Sequence, residues 1–181
     1  EFRRVLFRSV KELKKVFQKQ LQHMDSLRSQ IFRDKLTGFG NRRYFLYHLS
    51  SLFYRDEDFV PGFLLGIAID DLANIKEQFG ALETNQFIKK LSLFCADFWQ
   101  GYPDLIIART EEHFFTLIIK ENDEQLLIKK CEEFNQKIQK LFINKIDCQI
   151  FLALVAYQAY HDKRPLLSEL EQSILNAKNE P

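Results

Sequence analysis

One uninterrupted apolar run, residues 63–69, most constrains the fold of this chain. The run has the length of a strand, follows the turn pair Pro61-Gly62, and ends at Asp70 and Asp71. A strand that is apolar at every position is typical of the centre of a sheet, because both of its faces have to be covered. The run therefore predicts a central, fully buried strand.

The other elements follow from apolar spacing and from residues that favour helix ends. Helices are predicted over residues 42–54, 85–98, 123–142 and 166–178. Asn41 and Asp123 are suitable N-caps, because their side chains can accept a backbone N–H. Strands are predicted over residues 105–109, 114–119 and 148–157, the first two joined by a polar turn. This order predicts an α+β domain in which helices flank a central, antiparallel-rich sheet.

A long amphipathic helix is predicted at residues 10–32, ahead of this domain. Its apolar residues have an average spacing of 3.5 and are Val10, Leu13, Phe17, Leu21, Met24, Leu27 and Ile31. That spacing is typical of a coiled coil. Two interpretations stay open: a helix packed on its own domain, or a parallel two-stranded signalling helix. Residues 1–9, EFRRVLFRS, read like a translated sequencing adapter, so we expect them not to be native sequence and the native protein to extend further upstream. The domain is expected to span residues 34–181.

Composition narrows the function classes. The chain has 181 residues, a formal net charge of +1 and a hydrophobic share of 46%. These values argue against disorder and against a nucleic-acid or anionic-membrane partner. Cys95, Cys131 and Cys148 are far apart and show no C-x-x-C spacing, which indicates reduced thiols and no zinc site. No apolar run of the sequence approaches the ~18–20 residues that cross a bilayer.

A specific motif follows the predicted N-terminal helix. From Asp34 to Phe45 the sequence reads D-x-L-T-G-x-x-N-R-R-x-F. It resembles the opening D-x-L-T-G-L-x-N-R-R-x-F of GGDEF domains, the catalytic modules of diguanylate cyclases. Residues 67–80 resemble that family's D-x-D-x-F-K-x-x-N-D-x-x-G loop, residues 108–115 its GG(D/E)EF hairpin, and residues 166–178 its closing L-L…A-K helix. The resemblance covers nearly the whole chain after residue 33.

The resemblance implies a nucleotidyl-cyclase-like fold and a known chemistry. GGDEF domains make cyclic di-GMP from two GTP molecules, one held by each of two facing domains. The reaction needs carboxylates on Mg²⁺, because the metal must offset the triphosphate charge and activate the attacking hydroxyl. It also needs a Gly pair that lets phosphate approach the hairpin backbone, and polar side chains that read guanine.

Several of these positions are changed in this chain. With Gly80 as the anchor, the family's first metal-binding Asp falls on Ala68, the guanine-reading Asn on Lys76 and the guanine-reading Asp on Asn85. A methyl group cannot ligate Mg²⁺. A two-residue gap would bring Asp70 to the metal position but would spoil the spacing to Gly80, so we interpret Asp70 as a polar strand end.

The hairpin pentad is changed too. It falls on Glu111, Glu112, His113, Phe114 and Phe115, so both Gly become Glu, the metal carboxylate becomes His, and only the last Phe is retained. Two like charges ~4 Å apart repel by about 1 kcal/mol in water and by about 4 kcal/mol at an effective dielectric of 20. The two Glu side chains are therefore expected to repel phosphate.

Three further patterns bear on the site. Lys178 matches a phosphate-contacting Lys of the family, although a single Lys near a helix end is usually solvated. The R-x-x-D product-inhibition motif is absent, because Tyr102 and Leu105 stand at its Arg and Asp positions. A transition-metal site at His113 is disfavoured, because neighbouring residues on a tight turn rarely converge on one ion.

These departures predict a catalytically inactive, degenerate GGDEF-like regulatory domain without catalytic residues, metal or cofactor. The pattern is similar to that of membrane receptors that pair degenerate GGDEF and EAL domains. It implies a cytoplasmic domain, in a protein that can be anchored in the inner membrane, between an upstream HAMP-like helix and a downstream EAL domain. A homodimer through the N-terminal helix is expected. The alternatives are a GTP-binding sensor that regulates a linked EAL phosphodiesterase, and an active cyclase with an atypical site.

Overall fold

The computed structural model describes residues 2–53, 60–143, 148–157 and 162–179. The chain divides into two compact units, residues 1–33 and residues 34–181. The first unit is one helix, α1 (Phe2–Phe32), which ends where the sequence predicts but begins eight residues earlier than the predicted start at residue 10. Whether residues 1–9 belong to the native protein stays a prediction. Seven large apolar side chains between residues 13 and 31 of α1 are exposed: Leu13, Val16, Phe17, Leu21, Met24, Leu27 and Ile31.

The second unit is built on one five-stranded sheet. Its strands are β1 (Gly40–Asn41), β2 (Gly62–Ile69), β3 (Ile106–Glu111), β4 (Phe114–Ile119) and β5 (Ile150–Tyr157), in the order β1-β3-β4-β2-β5. β1 runs parallel to β3, and all other neighbours are antiparallel. All eight residues of β2 are buried, which confirms the central strand predicted from the apolar run. The short parallel strand β1 was not predicted, because two residues carry no periodicity.

In the described part of the domain, four helices flank the sheet. They are α2 (Arg42–Leu52), α3 (Leu72–Trp99), α4 (Glu124–Ile138) and α5 (Lys163–Asn179). The predicted caps are confirmed: Tyr44 N donates to Asn41 Oδ1 at 3.1 Å and Leu126 N donates to Asp123 Oδ1 at 3.0 Å. The last predicted turn of α4 is a π-helical turn, Gln139–Ile143. The predicted end of α2 at residue 54 lies outside the described residues.

The start of α3 is a correction to the sequence prediction. The prediction began at residue 85, whereas the helix begins at Leu72 and is interrupted at Gly80. Asp71 starts it from a left-handed conformation (φ 43°), and its side chain accepts Asn74 N at 3.3 Å. Gly80 has φ 85° and ψ 165°, a conformation that is essentially limited to glycine. The glycine therefore splits the helix into two arms, and the first arm is too short and polar to show a clear apolar stripe.

The two faces of the sheet carry separate cores. α3 and α4 cover one face, where Trp99, Phe115 and Phe134 are fully buried. α2 and α5 cover the other face, where Phe45, Leu49 and other apolar residues pack against the sheet. The β3–β4 hairpin thus projects between the ends of helices from both layers, and this placement positions the candidate site.

The described residues also bear on membrane and thiol chemistry. No helix within them is long and apolar enough to span a bilayer. Cys95 and Cys148 are buried and Cys131 is half-buried, all three as free thiols. Burial raises the pKa of the Cys131 thiol to about 12, and the neighbouring Glu132 carboxylate adds to this shift. The Cys131 thiol is therefore expected to be chemically inert near neutral pH.

Candidate functional site

The β3–β4 hairpin forms the centre of the candidate site. Glu111 ends β3, Glu112 and His113 form the turn, and Phe114 begins β4. The carbonyl of His113 accepts the N–H of Ile69 at 2.9 Å, so the turn is fixed to the end of the central strand. The sequence assignment of the family pentad therefore coincides with the end of one strand, a tight turn and the start of the next.

Arg109 ties the hairpin to the opening motif. Its guanidinium donates to the carbonyl oxygen of Glu112 from Nη2 at 2.6 Å and from Nε at 3.1 Å. Its Nη1 lies 3.5 Å from both carboxylate oxygens of Asp34, and only 10% of the Arg109 side chain is exposed. The Asp34 carboxylate also accepts the N–H and the hydroxyl of Thr37, at 2.9 and 2.7 Å. One side chain therefore fixes both the motif loop and the turn.

Glu111 is neutralised by a second arginine. Arg42 Nη1 lies 3.1 Å from Glu111 Oε1, and the two side chains are 53% and 46% exposed. An ion pair this exposed contributes on the order of 0.2–1 kcal/mol. The acidic side chain that stands at a family Gly position therefore has an electrostatic partner in Arg42, the first residue of α2.

Lys178 and Asp70 form a third ion pair. Lys178 Nζ donates to Asp70 Oδ1 at 2.7 Å and lies 5.9 Å from the ring centre of Phe151. The lysine side chain is 27% exposed. The expectation that this lysine is simply solvated is therefore wrong, because α5 returns it to the end of β2. Asp70 is a polar residue just past that strand, as interpreted, but it also holds the lysine.

The site offers little to a magnesium ion. Ala68 is 1% exposed and pairs across the sheet with Phe114, so a methyl and an aromatic ring stand where the resemblance implies a carboxylate. Within the described ranges, no group of three or more His, Cys, Asp or Glu side chains could hold a metal ion. Magnesium binding requires several oxygen ligands. The residues present do not fit the metal that the family chemistry implies.

Two cavities open beside the hairpin, and His113 and Lys178 line both. We call the first the α5 cavity; it has a volume of about 290 Å³ and lies among α2, α5 and the sheet, with Ala68, Glu111 and Phe114 in its lining. We call the second the α3 cavity; it has a volume of about 770 Å³ and lies beside both arms of α3. The predicted guanine-reading positions Lys76 and Asn85 line the α3 cavity together with Glu112, Asp34 and Arg109. The structure thus distributes the predicted site positions over two neighbouring cavities.

Phe114 and Phe115 have different places. Phe115 is fully buried and packs edge-on against Phe39, with ring centres 6.1 Å apart. Phe114 is half-buried and points to the opposite face, where its ring lies against Gly66. The retained Phe of the pentad is therefore a core residue, and the substituted one covers the floor of the α5 cavity.

Sequence reasoning missed the roles of Asp34, Arg42 and Arg109 in these ion pairs. Each residue was recognised only as part of the family resemblance. The only available signal was that these three charged residues match the family pattern, whereas Glu111, Glu112 and His113 of the hairpin depart from it.

The sheet with helices on both faces, and the hairpin between two cavities, define a GGDEF-like α+β domain. The family model described as diguanylate cyclase, GGDEF domain, matches residues 31–181, and the chain therefore belongs to the GGDEF family. No curated protein sequence matches significantly.

Solved structures agree with this fold. The coiled coil and GGDEF domain of DgcB from Caulobacter crescentus, in complex with c-di-GMP, is similar with a TM-score of 0.81 and 14% identity, over 96% of this chain and 94% of that one. The S helix-GGDEF-EAL portion of Vibrio cholerae LapD, bound to c-di-GMP, is similar with a TM-score of 0.77 and 21% identity, over 91% of this chain and 38% of that one. The diguanylate cyclase SiaD from Pseudomonas aeruginosa, in complex with its activator SiaC, is similar with a TM-score of 0.73 and 14% identity, over 95% of this chain and 68% of that one. The chain thus spans about two fifths of the LapD chain.

Proposed function

We propose that this chain is a catalytically inactive GGDEF-like regulatory domain of a bacterial cyclic di-GMP signalling protein. It relays a signal between an upstream, HAMP-like helix and a downstream EAL domain. The observation that carries the proposal is the replacement of metal ligands by Ala68 and His113, in a site whose charges already pair with one another. The likeness to LapD, which combines an S helix, a GGDEF domain and an EAL domain, supports the proposed architecture.

The ion pairs make the argument more specific. Lys178 pairs with Asp70 and Arg42 pairs with Glu111, so carboxylates already offset the positive charges of the site. Glu112 lines the α3 cavity and adds a further negative charge. Without a metal to offset the charge of the phosphates, these carboxylates oppose the substrate of a cyclase.

We expect no cyclase activity from the chain. Incubation with GTP and either Mg²⁺ or Mn²⁺, followed by mass spectrometry of the products, should yield cyclic di-GMP at least about a thousandfold below an active cyclase run in parallel, because metal and electrostatic stabilisation supply several kcal/mol. The parallel enzyme controls for the assay, and a circular dichroism spectrum controls for folding. Metal-dependent product formation by the folded chain would contradict the proposal.

A GTP-binding sensor is the second candidate, and the α3 cavity favours it. The cavity measures about 770 Å³ and places Lys76, Asn85 and Lys178 around one space. Calorimetry with GTP and Mg²⁺ separates the candidates: binding at micromolar affinity supports the sensor. Under that alternative, Lys178→Ala should abolish binding, whereas Lys129→Ala, a substitution on the exposed side of α4, should leave it unchanged.

We also propose a homodimer through α1, the route by which an upstream signal would arrive. Phe17, Met24 and Ile31 lie seven residues apart and are 62%, 52% and 45% exposed, so they form a continuous apolar stripe. Light scattering should give a dimer for the full chain and a monomer for Met24→Asp, because a buried unpaired carboxylate is costly. The matched control is Gln22→Asp, off the stripe, which should stay dimeric. A monomeric native chain at high micromolar concentration would disprove this part.

A further inference from the structure

The α5 cavity is larger than a packing defect and has the character of a ligand site. Its volume of about 290 Å³ corresponds to about ten water molecules at ~30 Å³ each. Small-molecule sites are typically concave, mostly apolar and of about 300–1,000 Å³, with few polar groups that orient the ligand. The α5 cavity, at about 290 Å³, is close to the lower limit of that range.

The floor of the cavity is apolar. Ala68 and Leu170 are each 1% exposed, and Ile174 is 5% exposed. A Cβ on Gly66 would lie 2.9 Å from the Phe114 ring and 3.3 Å from Leu170, so these two side chains close the sheet surface tightly. Placing a multiply charged phosphate over such a floor would carry a large desolvation cost. The floor therefore selects an apolar body.

The rim of the cavity is charged but balanced. Arg42 and Lys178 supply two positive charges, and Glu111 and Glu171 supply two negative ones. A balanced rim gives no net attraction to a polyanion. Because the Arg42–Glu111 pair is exposed and weak, one anionic group on a ligand could recruit Arg42 at small cost.

We propose that the α5 cavity binds a small organic molecule with an apolar, ring- or chain-shaped body and no more than one negative charge. This inference rests on the proposed function, because an active cyclase would need the same corner for metal-bound triphosphate. A ligand there would touch both the hairpin and α5. Its binding would favour one arrangement of these two elements, which gives the relay a chemical input.

The test uses the full chain and 8-anilino-1-naphthalenesulfonate, which has an aromatic body and one sulfonate. Fluorescence titration gives the affinity, and methyl NMR gives the location. We expect shift changes at Ala68, Leu170 and Ile174. Changes confined to methyl groups of α1, such as Leu13 and Leu27, would overturn the proposal, because the dye would then report only the exposed helix stripe.

Paired variants sharpen the test. Leu175 is 50% exposed at the mouth of the cavity, and Leu175→Trp should weaken binding at least tenfold by narrowing the entrance. Ile128→Trp, on the 44% exposed Ile128 of α4, is the matched control and should change affinity less than twofold. Arg42→Gln should weaken binding three- to tenfold, and the adjacent Arg43→Gln should not. Equal effects of either variant and its control would overturn the proposal.

A competition experiment separates this inference from the proposed function. We expect Mg²⁺·GTP not to displace the dye. Displacement together with formation of cyclic di-GMP would overturn both proposals. Absence of dye binding at the cavity, with no turnover of GTP, would overturn only the ligand proposal and leave the inactive domain standing.

Discussion

Arg109→Ala should lower the free energy of unfolding by about 2–3 kcal/mol, or roughly 5–10 °C in the midpoint of thermal unfolding. The guanidinium is 10% exposed and bridges the Asp34 carboxylate and the Glu112 carbonyl. Its removal leaves a carboxylate that is only 22% exposed without its cation, and frees the hairpin carbonyl. Urea unfolding followed by circular dichroism measures the loss.

Arg42→Ala is the matched control for this prediction. Arg42 belongs to the same site and also forms an ion pair with a carboxylate, that of Glu111. The side chains of both partners in this pair are about half exposed. The expected cost is below about 1 kcal/mol. Arg109→Lys should fall between the two, because a lysine keeps the charge but its compact ammonium lacks the planar fork that reaches the Glu112 carbonyl and the Asp34 carboxylate from different nitrogens. Equal losses for Arg109→Ala and Arg42→Ala would show that the bridge does not stabilise the hairpin.

Local signals in the sequence were sufficient for most of the architecture. The apolar run predicted the central strand, Asn41 and Asp123 predicted two helix starts, and the polar turn before Phe114 predicted the hairpin. These features depend on neighbouring residues, so periodicity and capping chemistry reveal them. The resemblance predicted the GGDEF family, and the match of the family model to residues 31–181 confirms it.

The pairing of charges could not be predicted in the same way. Asp34 and Arg109 are 75 residues apart, Arg42 and Glu111 are 69 apart, and Asp70 and Lys178 are 108 apart. Which cation pairs with which carboxylate depends on how the helices and strands pack. No pattern among neighbouring residues of the sequence indicates these pairs. For this reason the sequence favours a solvated Lys178, whereas in the structure its ammonium pairs with the Asp70 carboxylate. The same limit applies to α3, whose first arm depends on the Asp71 cap and on the sharp conformation at Gly80.

The pattern of retained and changed residues gives the site a consistent physical interpretation. Asp34 and Arg109 hold the hairpin in place, while the hairpin carries Glu and His side chains. The contacts that support the hairpin are therefore present. The side chains at the positions where the family resemblance places nucleotide contacts differ from those of the family. A domain under selection only for docking or relay would need the supporting contacts and could lose the chemistry. This pattern is the one expected for the regulatory role proposed above.

Phe134→Ala should be the most destabilising single substitution considered, at about 3–5 kcal/mol. Phe134 is fully buried where α4 meets α3, with ring centres 5.3 Å from Phe94, 5.1 Å from Phe98 and 5.6 Å from Trp99. Truncation would leave a cavity among rings that cannot all close over it, and would remove favourable aromatic contacts.

Phe79→Ala provides the control for this core substitution, because it removes the same side chain from a position on α3 that is 41% exposed. Its expected cost is below about 1 kcal/mol. Chemical denaturation of both variants, with the slope of the transition compared to that of the native chain, separates lost packing from a changed unfolded state. If Phe134→Ala costs no more than Phe79→Ala, the aromatic cluster is not the contact that holds α4 against α3.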